Sequence, residues 1–414
     1  VNELPYKHGV YGERAPSLDS LPPSGVGTLP VYIGTAPVDQ LEDSAAAVNV
    51  PILVSSFDEA KAKLGYSDDW EKYTLCEVMD AHFRNRIQPI GPIVLINVFD
   101  PSQHESIEDV TSADVIGSNS GGKRIGIEVV DLVYQTHNMI PTILAAPGWS
   151  QIKTVKEALC TKANKINGHW DATVVADIDS KTATTLSAAK TWKETNGYTD
   201  RIMKVGWPMG QIAGKLYHAS TLISVRMQQT DYANDNVPYV SPSNKQVDIA
   251  GTVLASGEPI DIDEVQANEL NAAGITTFNF RSGIWVLWGP HNANYEYGKD
   301  IDTDDVFDAN IRMAMYLTNS FQARYMSDID GPLNRSTVDT ILNDAGIWLD
   351  SLVAEGKLLY ASIAFNETSN PTSSIVEGDF TFDIRNTYTP VAKSLTFRVR
   401  YTTEGISTLF GGGE

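Results

Sequence analysis

Two short stretches of the chain carry residue types that could do chemistry. GSNSGGKR, residues 117–124, sets Gly117, Gly122 and Lys123 at the spacing of a phosphate-cradling loop, where backbone N–H groups and a lysine surround the phosphates. Arg124 stands where a Ser or Thr hydroxyl would bind magnesium, and only the apolar piece ADVIG leads in. A surface hairpin is the simpler reading. DIDTDDVFD opens like a calcium loop with Asp300, Asp302 and Asp304, but its sixth position is Asp305 instead of Gly and its twelfth is Ile311 instead of Glu. Such a loop could neither turn nor close around the ion. Acids just before a helix starting near Val306 would instead favour that helix's positive end.

The remaining candidates form no constellation. His8, His82, His104, His137, His169, His218 and His291 are scattered without metal-ligand spacing, and neither a G-x-S-x-G elbow nor a C-x-x-C pair occurs. Cys76 and Cys160 each fall in an amphipathic stretch and read as buried thiols. Trp285 and Trp288, at i and i+3 on an expected strand, point to opposite faces and so read as packing residues, not as one stacking platform. No cofactor or metal is expected.

The elements that would have to position any site are clearer. At 414 residues the chain is long for one core, and its apolar runs are far too short to cross a bilayer. A formal charge of −21 argues against nucleic acid or an anionic membrane as the main partner. The N-terminus lacks the apolar core of a signal peptide, so synthesis in the cytoplasm without secretion by the usual route is expected. Residues 1–24 are rich in Pro, Gly and Ser and read as an extended arm. From Leu29, short apolar strands (PVYIGTA, PIVLINVFD, PTILAAP, ATVVADI, IMKVGWP) alternate with helical stretches, the pattern of a mostly parallel sheet covered on both faces. A long helix is expected over about 211–228, and an interdomain crossing near residue 240.

After the crossing the character shifts to α+β. TTFNFRSGIWVLWGP reads as a hairpin, and a strong helix is expected over about 337–355, with Ser336 and Asp339 as a near capping box and Gly356 at its end. The closing strands LLYASIAF, FTFDI and AKSLTFRVRYT follow. FTFDI puts Phe380, Phe382 and Ile384 on one face, and the last strand does the same with Leu395, Phe397, Val399 and Tyr401. So small a sheet is marginal alone, and a long apolar edge strand at a chain end leaves N–H and C=O groups open to other chains. Strand addition between chains and folding back within one chain are both compatible with this pattern.

YVSPSNKQVDIAG, NAAGITTFNFRSGIWVLWGPHN, the long segment from GPLNRSTVDT to FNETSNP, and EGDFTFDIRNTYTPVAKSLTFRVRYT together resemble the C-terminal half of contractile tail sheath proteins of myophages and phage-tail-like bacteriocins. GVYGERAPS and LPVYIGTAP resemble the start of the same proteins. The resemblance implies an outer α/β domain over 25–240, an inner α+β domain over 241–390 whose small sheet is completed by neighbours' arms, and a donated strand and tail over 391–414. It implies intersubunit strand exchange through Val10 and Tyr11 in the N-terminal arm, Phe380, Phe382 and Ile384 in the receiving sheet, and Leu395, Phe397, Val399 and Tyr401 in the donated strand. Arg335 and Lys357, at the ends of the long helix, are the expected contacts to an inner tube. A non-enzymatic subunit is implied, forming stacked hexameric rings around that tube and contracting irreversibly to drive it through a cell envelope. Its partners would be itself, the tube, and the baseplate and tail terminator proteins, with no direct nucleic acid or membrane contact. Two alternatives stand beside it: a nucleotide-dependent α/β enzyme using the loop from Gly117 to Lys123, and a static strand-exchanged fibre.

Overall fold

In the computed structural model, which describes residues 27–410, the apolar runs of the first half become neighbours in one eight-stranded sheet. Its order is Ile284–Trp288, Ile275–Arg281, Met203–Gly206, Thr173–Asp177, Ile143–Ala145, Pro30–Gly34, Ile93–Asn97 and Ile52–Val54. The six central strands pair in parallel and each edge strand is antiparallel. Pro30–Gly34, Ile93–Asn97, Thr173–Asp177 and Met203–Gly206 are buried at every position, because helices cover both faces and no strand residue has a wet side. Thr74–Phe83 and Ala219–Tyr232 pack together on the sheet, as do Lys153–Ala163 and the 3-10 turn Gly126–Leu132. At one edge, residues 244–247 run beside Ile284–Trp288, and Lys245 O accepts from Leu287 N at 2.9 Å. The other edge strand has only three residues. The sheet thus takes two strands from beyond residue 240, the expected domain crossing.

Two local expectations change, and the hairpin expected at GSNSGGKR is met. The helix expected over 211–228 starts later, at Ala219, because Met209–Ile212 and Lys215–Tyr217 form a hairpin first. Ala213 and Gly214 have positive φ, the requirement of a two-residue turn that matches strand twist. GSNSGGKR is a hairpin too, Ser118–Ser120 with Lys123–Ile125, turning at Gly121 and Gly122. Lys123 therefore lies on an exposed strand and not on a loop feeding a helix, and the phosphate-loop reading falls. In DIDTDDVFD the helix begins at Asp308, not Val306. Asp308 does accept from Ala309 N, but Asp305 forks onto Arg201 and Asp308 takes the ammonium of Lys204.

Those last contacts join the C-terminal helices to the sheet. Lys204, in a central strand and fully buried, donates to Asp308 Oδ2 at 2.7 Å and to the carbonyls of Gly289 and His291 at 2.7 and 3.1 Å. Arg312, on the same helix as Asp308, pairs with Asp231, which also accepts the Thr28 hydroxyl at 2.7 Å. Asn319 closes the row by bonding both N–H and C=O of Asp171. Both of these buried ion pairs are also hydrogen-bonded, the condition under which burial is tolerated.

At the carboxyl ends of the parallel strands lies the crevice where open α/β sheets hold ligands. Here it is furnished by side chains bonded to one another. Asp177 accepts from Ser150 Oγ, Ser220 Oγ and Ser220 N at 2.9, 2.5 and 2.8 Å, so its carboxylate occupies the N-terminus of Ala219–Tyr232 where a phosphate could otherwise sit. Beside it Glu77 accepts from His218 N and Nδ1 at 2.7 and 2.6 Å. Burial alone would pull the His218 imidazolium down, but the Glu77 carboxylate outweighs it and the pKa is pushed up to about 9.

Replacing Lys204 with alanine should leave Asp308 buried without its cation and cost about 3–5 kcal/mol of unfolding free energy in denaturant titrations. The double replacement Lys204→Met with Asp308→Leu should recover most of that loss. For His218, whose pKa is raised, the stabilisation is complete below its ordinary 6.5 and disappears as pH rises through about 9. Unfolding free energy measured between pH 6 and pH 9.5 should fall over that window by roughly 1–3 kcal/mol, and His218→Gln should flatten the slope.

Candidate strand-exchange surface

The candidate surface begins at the helix Arg335–Ala354. Its N-cap is Asn334, whose side chain accepts from Thr337 N, so the expected box of Ser336 and Asp339 is not the cap; Asp339 pairs with Arg335 one turn away. Val338, Ala345, Leu349 and Leu352 form the buried stripe. The helix stops where expected. Gly356 has φ +73°, Lys357 N reaches Leu352 O at 2.9 Å and Gly356 N reaches Val353 O at 3.0 Å, satisfying two end carbonyls while the chain reverses.

The reversal launches the strand Leu358–Ala364, which packs on that helix and pairs antiparallel with Asp383–Tyr388. Leu358 is buried in the body, whereas Leu359 and Tyr360 are exposed. Among the described residues this ribbon has only two strands. Of the three expected receiving residues, Ile384 is in the ladder, opposite Ile363, but Phe380 and Phe382 precede it. The reason is Asn370. Its side chain accepts from Thr381 N at 2.7 Å and donates to Thr381 O at 2.8 Å, taking the groups a ladder would use. Phe382 packs instead on Phe365, with ring centroids 5.0 Å apart, and Phe380 lies 6.5 Å from the same ring.

Past Tyr388 the chain leaves the ribbon. Leu395, Phe397, Val399 and Tyr401 are 72, 86, 93 and 85 % exposed, and among the described residues positions 394–401 form no backbone–backbone hydrogen bond. The face that alternation marks for burial is thus bare in the single chain. Arg335 is exposed, and among the described residues it pairs with Asp339. Lys357 is otherwise: its side chain is 7 % exposed and bonds to Asp235 at 3.0 Å and Glu355 at 2.6 Å, so within this chain it ties the ribbon's root to the body. Val10 and Tyr11 lie outside the described residues. Sequence reading missed Asn370 and Lys357 in these roles; an Asn in a loop and a Lys after a helix-ending Gly give no signal of distant partners.

No family model matches the chain. Among curated proteins it is 25 % identical over 326 residues to the tail sheath protein of Burkholderia phage BcepMu, an alignment covering 73 % of this chain and 64 % of that one. It is 21 % identical over 372 residues to the tail sheath protein of Escherichia phage P2, covering 87 % of each. Thus the chain spans just under two thirds of the first relative's length. Among solved structures, it matches a chain of the anti-feeding prophage baseplate, 6-fold symmetrised, with TM-score 0.66 at 16 % identity, covering 97 % of this chain and all of that one. A chain of the PVC sheath complex in its contracted state, from an extracellular contractile injection system, matches with TM-score 0.63 at 16 % identity over 97 % and 99 %. In sequence the chain resembles phage tail sheath proteins, and in fold it resembles the sheaths of contractile injection systems.

Proposed function

We propose that the protein is the structural subunit of a contractile tail sheath, which stacks as hexameric rings around an inner tube and shortens irreversibly to drive that tube through a cell envelope. The observation that carries this reading is the bare, alternating segment 394–401 that follows a ribbon with only two strands among the described residues. The strand of one subunit completes the ribbon of another, and the N-terminal arm, with Val10 and Tyr11, adds a further strand. Contacts of this head-to-tail kind generate helical stacks. Residues 25–240, extended by the strands up to Trp288, form the outer part; the C-terminal helices and ribbon form the inner part, with Arg335 facing the tube. Baseplate and terminator proteins bound the stack at its two ends, and the sheath becomes part of a phage tail or a phage-tail-like particle.

The energetics suit a subunit that waits for a template. Burying Leu395, Phe397, Val399 and Tyr401 yields about 1.5–3 kcal/mol each. Ordering each residue of the arm costs about 1–2 kcal/mol. The two nearly cancel, so one exchanged strand is weak and the many simultaneous exchanges of a ring are strong. Main-chain bonds then hold neighbours together while the segments at each arm's root rotate, and assembly itself stores the energy that contraction releases.

Electron microscopy of the full chain beside a version ending at Pro390, both under polymerising conditions, tests this. The full chain should form hollow sleeves or ring stacks and the shortened one should remain a folded monomer. Two monomeric samples of equal stability would overturn the reading, and polymers of one fixed geometry, with no contracted form, would favour a static fibre.

A further inference from the structure

The proposed donation of residues 394–401 requires a pivot, and the contacts that hold the chain to the body are found over residues 389–393. Thr389 Oγ1 donates to Gly356 O at 2.8 Å, fixing the start of the arm to the end of the long helix. Four residues on, Lys393 N bonds Val391 O at 2.9 Å, and the Lys393 ammonium stands 5.7 Å from the centroid of the Tyr295 ring. Tyr295 is stacked flat on His291, 3.5 Å between centroids and 3° between planes, and His291 stacks in turn on Phe307 at 5.3 Å. The next apolar residue after Lys393 is Leu395, already largely exposed.

This stack is anchored in the body. His291 Nδ1 donates to Val306 O at 2.5 Å, and the His291 carbonyl accepts from the buried Lys204 that also holds Asp308. Burial pulls the His291 imidazole down to about 4, so it is neutral and does not repel Lys393. The arm's root, Tyr295 and His291 line an open groove of about 870 Å³ together with Asn244, Arg281 and Trp288. The root is therefore held by its two ends and not by being packed in.

We propose that Lys393, seated on the Tyr295–His291–Phe307 stack, clamps the root of the C-terminal arm, so that residues 389–393 travel with the body and the donated strand pivots at Ser394. This rests on the arm being donated, and it names which residues set its exit direction. The cation over a ring face is the attraction, and an arginine at position 393 would keep it.

The test uses nitroxide labels on the full chain, at Ala392→Cys and separately at Thr396→Cys; Cys76 and Cys160 are buried and do not compete for the label. Electron paramagnetic resonance of the unassembled subunit should show the label at 392 several-fold slower than the label at 396. Lys393→Ala should bring the 392 label to the mobility of the 396 label, and Lys393→Arg should preserve the difference, both with unchanged melting temperature. Equal mobility at both sites before substitution, or no response to Lys393→Ala, would overturn the clamp. Because this readout needs no assembly, a clamp confirmed in a chain that never forms sleeves would count against the sheath reading alone, and sleeves without a clamp against the clamp alone.

Discussion

Extended backbone must place its N–H and C=O groups in hydrogen bonds when its side chains are buried, and this requirement organises the chain from end to end. In the large sheet it is met internally. Six parallel strands bond one another, a three-residue strand closes one edge, and residues 244–247 line the other. In the ribbon it is met on one side of each strand, and along residues 394–401 it is not met by the described residues at all. A segment that alternates for burial yet lies bare is what the proposed strand exchange would pair, and the two-stranded ribbon is the surface proposed to receive it.

The body that carries these elements is tied together by charge where apolar contact would not fix direction. Lys204 with Asp308 and Arg312 with Asp231 run from the sheet and its longest covering helix to the helix Asp308–Tyr325. Buried pairs of this kind tolerate little displacement, because moving one partner strands the other charge. The large sheet and the C-terminal helices are therefore coupled at their junction, and the ribbon is rooted there by Lys357 on Asp235 and by Thr389 on Gly356.

Much of this was legible in the sequence, for a stateable reason. Strands buried on both faces read as unbroken apolar runs, whereas the strict alternation of residues 394–401 has no ladder among the described residues. The Gly after the long helix correctly marked its end. The hairpin Met209–Tyr217 was not legible, since Ile212, Leu216, Ala219, Ile223 and Met227 also fit a helical stripe and only Ala213 and Gly214 mark the turn. The alternation of FTFDI was genuine, but pairing begins at Asp383 because a side chain eleven residues before Thr381 takes its backbone groups. Nor could the buried ion pairs be read, as Lys204 and Asp308 are 104 positions apart and each alone looks like a surface charge.

Disulfide trapping gives the most direct measurement of whether the terminal strand crosses between subunits. Phe397→Cys would be combined in one chain with cysteine at Leu359, Tyr360, Arg385 or Thr387 in turn, and the protein oxidised mildly under polymerising conditions. The ribbon and arm described above lead to a ladder of covalent multimers on a non-reducing gel for at least one pair, absent at dilutions that prevent assembly. Oxidation that yields only internally bridged monomers at every pair would mean that the strand folds back on its own ribbon.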